Sequence, residues 1–367
     1  MAGTSPGHDA DGAGHSMTKM LSLAQAAALG FSALLVGVGL GRFGYPALIP
    51  AVVGAGWVTP EVAHLSAASN LAGYVLGAMF CAPAVRTLGA RRTVIVSLWL
   101  TVATFALSAV PLPAAPFAAL RFISGVTGGA LMTAVAPMVT LRVSPAVRGR
   151  AGGYAFAGVG AGFILSGTIV PALARHAPGL AWIAIAAVLA VASAVAWRTL
   201  PDDDPAPSSG GVRAERASER LNWTAIGIAA AYAGAAAGYV PATVVFVDYV
   251  GRILGFGLAN AGLVWIATGI GAVVSPLLCG FFADRYGFAW TLRIVLAAMG
   301  LGAAIPAFTS AIALLAASGF LAGGMMIALA SLVSGRTREI TSAALYPALW
   351  AKLTVIFAVT QAAAAYA

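Results

Sequence analysis

Eleven runs of apolar residues, each close to the template of about 20 residues for a membrane-spanning helix, divide this chain at 22–50, 64–85, 93–111, 116–141, 153–173, 179–197, 223–248, 260–283, 290–308, 311–333 and 344–366. A helix of that length advances ~1.5 Å per residue and so matches a hydrocarbon core of ~30 Å. The chain is 60% hydrophobic and only 8% charged, against the roughly 25% charge of a soluble domain. One anchor helix cannot absorb that excess, which excludes an ordinary soluble enzyme and predicts an all-α polytopic membrane protein. Its 44 glycines and many alanines suit helices that pack backbone to backbone, as membrane bundles do.

The breaks between runs organise the chain. Residues 1–20 lack periodicity and read as a disordered tail rather than a signal peptide, with Met17 as an alternative start. Residues 21–198 hold six runs, 199–222 concentrate Pro, Ser, Gly and charge as a solvated linker does, and 223–367 hold five. With the N-terminus in the cytoplasm, fifteen of the 20 Lys and Arg residues fall in inner segments, and Lys352 snorkels at the inner end of the last run. Arg175 and Arg252 fall outside, while Arg42 and Arg121 lie within runs. This positive-inside bias sets the orientation and explains the net charge of +9 without a nucleic-acid partner.

The two halves repeat. Cys81 and Cys279 each precede a glycine, Gly89 and Gly287, by eight residues, and the offset between these pairs is 198. Gly128-Gly129 and Gly323-Gly324 match at a similar offset. A counterpart of the sixth run would lie beyond Ala367, so the repeat predicts a twelfth helix that these 367 residues do not contain. Both cysteines lie within apolar runs, where packing is expected rather than a disulfide.

Gly280-Phe281-Phe282-Ala283-Asp284-Arg285-Tyr286-Gly287 resembles the G-x-x-x-D-R-x-G loop motif of the major facilitator superfamily, and Arg121-Phe-Ile-Ser-Gly125 is similar to its R-x-x-x-G motif. Gly41-Arg42-Phe43-Gly44-Tyr45-Pro46 and Asn70-Leu71-Ala72-Gly73-Tyr74 resemble the YbfB/YjiJ group of bacterial transporters within it. The resemblance implies a two-bundle fold, a monomer in the inner membrane, a proton as coupling ion, and a cytoplasmic gate at Gly280, Asp284, Arg285 and Gly287. In the first copy Gly89 matches while Arg86 and Thr87 replace the Asp-Arg pair, and Gly89 and Arg91 are the gate candidates there. Arg121 would then belong to a motif tied to proton coupling.

A cation inside a span costs about 2.5–3.5 kcal/mol, so Arg42 is expected to face a cavity or a partner. No acidic residue lies deep in any run, and a substrate carboxylate would supply the missing anion with bidentate geometry. Arg42 could instead cap carbonyls at the Pro46 break or snorkel outward. Arg121, near the outer end of its run, could equally snorkel outward. Pro46 with Tyr45 and Pro241 with Tyr239 mark comparable depths where broken helices place a midplane site. Asn70, Tyr74, Trp265, Thr268, Trp350 and Gln361 are further candidates to line it. Asp248 and Arg252 read as an ion pair at one helix turn, His64 and His176 as outer-face bystanders, and Met325 and Met326 as packing.

No CxxC, HExxH or phosphate-binding loop occurs, so no catalytic residue, metal or cofactor is expected and ATP-driven transport is excluded. The reading is a secondary transporter of a small, anionic organic solute. Efflux of hydrophobic or cationic compounds and a non-transporting receptor are the rivals.

Overall fold

The computed structural model describes residues 20–174, 176–201, 223–239, 246 and 249–366. Among them there is no strand. Ten helical stretches are long and apolar enough to cross a membrane. The remaining run is helical over Trp223–Tyr239, and most of its expected continuation to 248 falls outside the described residues, as do residues 1–19 of the tail, 202–222 of the linker, Arg175, Pro241 and Asp248.

The helices, in order, are α1 (Leu23–Leu34), α2 (Gly44–Gly54), α3 (Pro60–Leu88), α4 (Ala90–Leu107), α5 (Ala114–Leu141), α6 (Arg148–Ala174) and α7 (Pro178–Thr199). They are followed by α8 (Trp223–Tyr239), α9 (Gly257–Tyr286), α10 (Phe288–Ala304), α11 (Ile312–Ser318), α12 (Met325–Ile340) and α13 (Tyr346–Tyr366). A π-helical turn, Gly319–Gly324, joins α11 to α12 within one span.

Small residues decide which helices touch. On α3, a Cβ at Gly73 or Gly77 would overlap the carbonyl oxygens of Phe122 and Val126, and one at Gly125 or Gly129 of α5 would overlap those of Asn70 and Tyr74. These two G-x-x-x-G stretches therefore bring α3 and α5 into backbone contact. A second seam joins the halves: Gly149, Gly153 and Gly160 of α6 lie against the carbonyls of Gly280, Pro276 and Ala272 of α9. Inside the first half, Leu98, Phe105, Phe117, Trp182 and Ile185 build one buried apolar core. Another core mixes Val38, Tyr74, Met132 and Phe156 with Tyr232, Met326 and Trp350, and so lies between the halves.

The repeat is visible in the backbone. Gly89 (φ 83°) ends α3 and begins α4, and Gly287 (φ 87°) does the same for α9 and α10. This corner needs a positive φ, which a side chain opposes, so glycine recurs at both copies. Cys81 and Cys279, eight residues earlier, are buried free thiols.

The first span is broken, and the break positions the site. Ser22 and Gln25 form a capping box that starts α1. A π-helical turn, Leu35–Leu40, then widens the helix, and residues 41–43 form a turn before α2. Pro46 has no N–H to offer the Gly41 carbonyl, five residues back, in the widened register. That oxygen instead accepts the Ser124 hydroxyl at 3.0 Å and Asn70 Nδ2 at 3.5 Å.

Candidate functional site

The break turns Arg42 toward the layer between the halves. Its Nη2 donates to Gln361 Oε1 on α13 at 2.6 Å, and its guanidinium lies 4.7 Å from the ring centre of Tyr74 and 5.4 Å from that of Phe43. These groups border a cavity of about 40 Å³, walled also by Tyr232 and Tyr239 of α8, Met132, Phe156 and Met326. Arg42 is the one charged residue among the described residues lining it. Tyr232 packs at a tilt against Phe357 at 4.7 Å and stacks on Trp350 at 6.5 Å. Trp350 in turn donates Nε1–H to the Met132 carbonyl of the other half at 3.1 Å.

Two closures bound the cavity. Phe163 follows Phe156 by seven residues of α6, ~10 Å along the helix. There it stacks on Phe43 at 4.4 Å and meets Trp265 of α9 at 5.7 Å, an aromatic layer across both halves. At the opposite end Asp284 joins the halves. Its Oδ1 accepts the Gly149 N–H at 2.5 Å, while Oδ2 accepts the Arg150 N–H at 3.0 Å and pairs with Arg150 Nε at 3.0 Å. A carboxylate at the C-terminus of its own helix is disfavoured by the helix dipole, but here it sits on the N-terminus of α6, where the dipole and unpaired N–H groups favour it.

The sequence candidates divide between three places. Arg42, Tyr74, Tyr239 and Gln361 line the cavity, with Trp350 behind Tyr232. Trp265 belongs to the aromatic layer, and the Thr268 hydroxyl bonds back to Val264 of its own helix. Tyr45, Asn70 and Arg121 form a separate cluster inside the first half. Asn70 bonds the carbonyls of Gly41 and Arg121, and Tyr45 donates to the Ala63 carbonyl at 2.9 Å. Arg121 does not snorkel: it is 0% exposed. Its Nη2 donates to Ser108 Oγ and the Thr104 carbonyl, and the rings of Phe105, Trp182, Tyr45 and Phe117 surround the guanidinium at 4.6–6.0 Å. Desolvated cation–π contacts of this kind, each worth up to about 2 kcal/mol, hold it without an acid. His64 and His176 are exposed, and Met326 packs in the core between the halves and also borders the cavity.

Sequence reasoning missed Phe43, Phe156, Tyr232 and Arg150. Tyr232 was discoverable, since it precedes Tyr239 by seven residues and so shares its helix face. Nothing in the sequence links Arg150 to Asp284.

A family model described as "Uncharacterised MFS-type transporter YbfB" matches residues 34–367. The chain belongs to the major facilitator superfamily. Among solved structures, this facilitator is similar to the MFS proton:xylose symporter XylE bound to 6-bromo-6-deoxy-D-glucose, at 14% identity and a TM-score of 0.73, covering 94% of this chain and 87% of the other. A double-tryptophan XylE mutant matches at 15% identity and a TM-score of 0.69, covering 94% and 86%. At these identities the likeness shows the fold. No curated protein matches this facilitator.

The facilitator's loop motif differs between its halves in space as in sequence. Asp284 pairs with Arg150 rather than with the adjacent Arg285, which is exposed and lies over Tyr286. Gly280 makes the close approach to Gly149 that lets the carboxylate reach α6. In the first half Arg86 is exposed at the end of α3, and Arg91 is half-buried at the start of α4. The repeat offset carries Arg148, the first residue of α6, onto Tyr346, the first of α13. There the turn is closed locally, with Leu345 N–H donating to Ser342 Oγ at 3.3 Å. A carboxylate cap thus occurs in the second copy of the motif and is replaced by arginine in the first.

Proposed function

We propose that this facilitator is a secondary transporter of a small organic anion, bound through its carboxylate to Arg42. The observation that carries this reading is Arg42 itself: a half-buried cation between the halves whose hydrogen-bond partner, Gln361, is neutral. A carboxylate replacing or joining Gln361 would neutralise the guanidinium and accept two parallel hydrogen bonds. Tyr74, Tyr239 and Tyr232 supply hydroxyls and ring faces around the same volume, which suits a short, partly apolar acid. The cavity is small because the halves are drawn together at both ends; transport requires them to rock apart at one end and then the other. Asp284 with Gly149 and Arg150 would latch the basic-loop end, and Phe43, Phe163 and Trp265 would close the other. Gly280 and Gly287 permit the close approach and the tight corner at the latch, where Arg285 adjoins Asp284, and Gly89 and Arg91 stand at the corresponding corner of the first half.

The remaining calls keep the same footing. The surplus of Lys and Arg on one side supports an inner-membrane protein with its N-terminus in the cytoplasm. A proton as coupling ion follows the printed description of XylE, helical bundles at 21–198 and 223–367 follow the repeat, and a monomer is what the family resemblance implies. The lack of an acidic residue among the described cavity-lining residues favours a second reading, exchange of one anion for another without a protein-borne proton. It disfavours efflux of cations.

Counterflow in proteoliposomes tests the proposal. Labelled mono- and dicarboxylates are expected to enter vesicles loaded with the same acid, whereas the matching amides and quaternary ammonium compounds are not. Equal entry of acid and amide would remove the anion site; entry of the ammonium compounds alone would favour efflux. No exchange of any solute would favour a receptor.

A further inference from the structure

A second concavity, unrelated to Arg42, opens on the outer surface of the second half between α9, α10 and α12. Its volume of about 360 Å³ falls within the roughly 300–1,000 Å³ of small-molecule sites. Its rim is formed by Phe282 and Tyr286 of α9 and Trp290 and Ile294 of α10, all exposed, and its floor by Cys279 and Met325. From Tyr286 to Ser275, its deepest residue on α9, eleven helical residues cover ~16 Å, about half the hydrocarbon thickness. The groove therefore starts at the basic-loop surface and ends near mid-membrane.

Charge marks its mouth. Arg285 is exposed, its Nε donates to the Tyr286 hydroxyl at 3.3 Å and its guanidinium lies 5.7 Å from the Tyr286 ring centre. The neighbouring Asp284 is engaged by Arg150. Arg293 is exposed on α10, one turn beyond Trp290. Arg285 stands at the corner, and Arg293, about 9 Å along the helix from Gly287, can reach the headgroups by snorkelling, so an apolar channel flanked by two cations has the chemistry of a phospholipid with an anionic head.

The repeat shows that the fold does not require this arrangement. At the 198-residue offset, Phe282, Tyr286 and Trp290 correspond to Ala84, Leu88 and Arg92, and Arg285 and Arg293 to Thr87 and Ile95. The ring-lined wall belongs to the second half alone; the first half carries its cations, Arg86, Arg91 and Arg92, at other positions of the same corner. We propose that this groove binds one anionic phospholipid, with an acyl chain along Phe282, Tyr286 and Trp290 and the phosphate between Arg285 and Arg293. Because α9 carries both this groove and Asp284, an occupying lipid would also brace the helix that holds the latch.

Trp290 reports occupancy. The purified protein and its Trp290→Phe variant are placed in vesicles of phosphatidylcholine carrying brominated phosphatidylglycerol or brominated phosphatidylcholine at equal fraction, and the difference in quenching isolates the groove. The proposal predicts about thirtyfold preferential occupancy by phosphatidylglycerol at low salt, the factor two arginines near a membrane surface supply, falling to about one in Arg285→Gln/Arg293→Gln. Equal quenching by the two lipids in the unaltered protein, or a phosphatidylglycerol preference that survives both substitutions, would overturn it.

Discussion

Asp284 and Gly149, on opposite halves of the chain, are joined by a 2.5 Å hydrogen bond from the Gly149 N–H to the Asp284 carboxylate, which also receives both N–H and Nε–H of Arg150. One side chain thus caps a helix of the other half and forms an ion pair with it. The contact is possible because Gly149 and Gly280 have no side chains to hold the backbones apart.

Asp284→Asn retains an acceptor for Gly149 but loses the charge opposite Arg150. Hydrogen bonds to charged groups contribute about 1.5–3 kcal/mol, so the open state at the basic-loop end should gain roughly tenfold in population. Ser331, in a small pocket with Arg148 and Gly152 behind the latch, provides the reporter. Labelling of Ser331→Cys by an impermeant maleimide from the basic-loop side should accelerate by that factor in Asp284→Asn. An unchanged rate would mean that the carboxylate does not hold the ends closed.

Gly77→Ala should destabilise the fold by about 1–3 kcal/mol, because its Cβ would meet the Val126 carbonyl and push α3 from α5. Gly300→Ala, with nothing within 4 Å of the added carbon, should be neutral or stabilising by about 0.4–1 kcal/mol. Thermal unfolding in detergent compares the two; equal losses would refute the backbone-contact seam.

The membrane spans were legible in the sequence because a span must be apolar along its whole length. The corner glycines were legible because a positive φ selects for glycine at both copies. Facing was not legible. Tyr45 follows Arg42 by three residues and would share its face in a regular helix, but the turn at 41–43 sends its hydroxyl to Ala63 and its ring to Arg121. Where a π-helical turn inserts is settled by neighbours such as Ser124 and Asn70, which lie far away in sequence. Arg285, adjacent to Asp284 in sequence, looked like part of its charge contacts, yet successive residues on a helix point apart and Arg150 on another helix takes the place.

Arg121→Met should separate the two intramembrane arginines. Removal of the guanidinium from its four rings should lower thermal stability by about 2 kcal/mol or more. Half-saturation for the transported anion should change by less than about twofold in the protein that folds, since Arg121 is not among the residues lining the cavity. A loss of affinity without loss of stability would place Arg121 in the substrate site.

Gln361→Glu would set a carboxylate of nearly the same shape 2.6 Å from Arg42. The internal ion pair should compete with the substrate, raising thermal stability while lowering anion affinity at least about tenfold in competition counterflow. Unaltered affinity would show that the solute does not use the guanidinium face that Gln361 occupies.

The central claim is that the Arg42 guanidinium receives a substrate carboxylate, and counterflow by reconstituted Arg42→Gln and Arg42→Lys beside the unaltered protein tests it most directly. The account predicts exchange of a labelled carboxylate by the unaltered protein, weakened exchange in Arg42→Lys, which keeps the charge but not the planar fork, and none in Arg42→Gln at equal folded yield. Undiminished exchange in Arg42→Gln would contradict it.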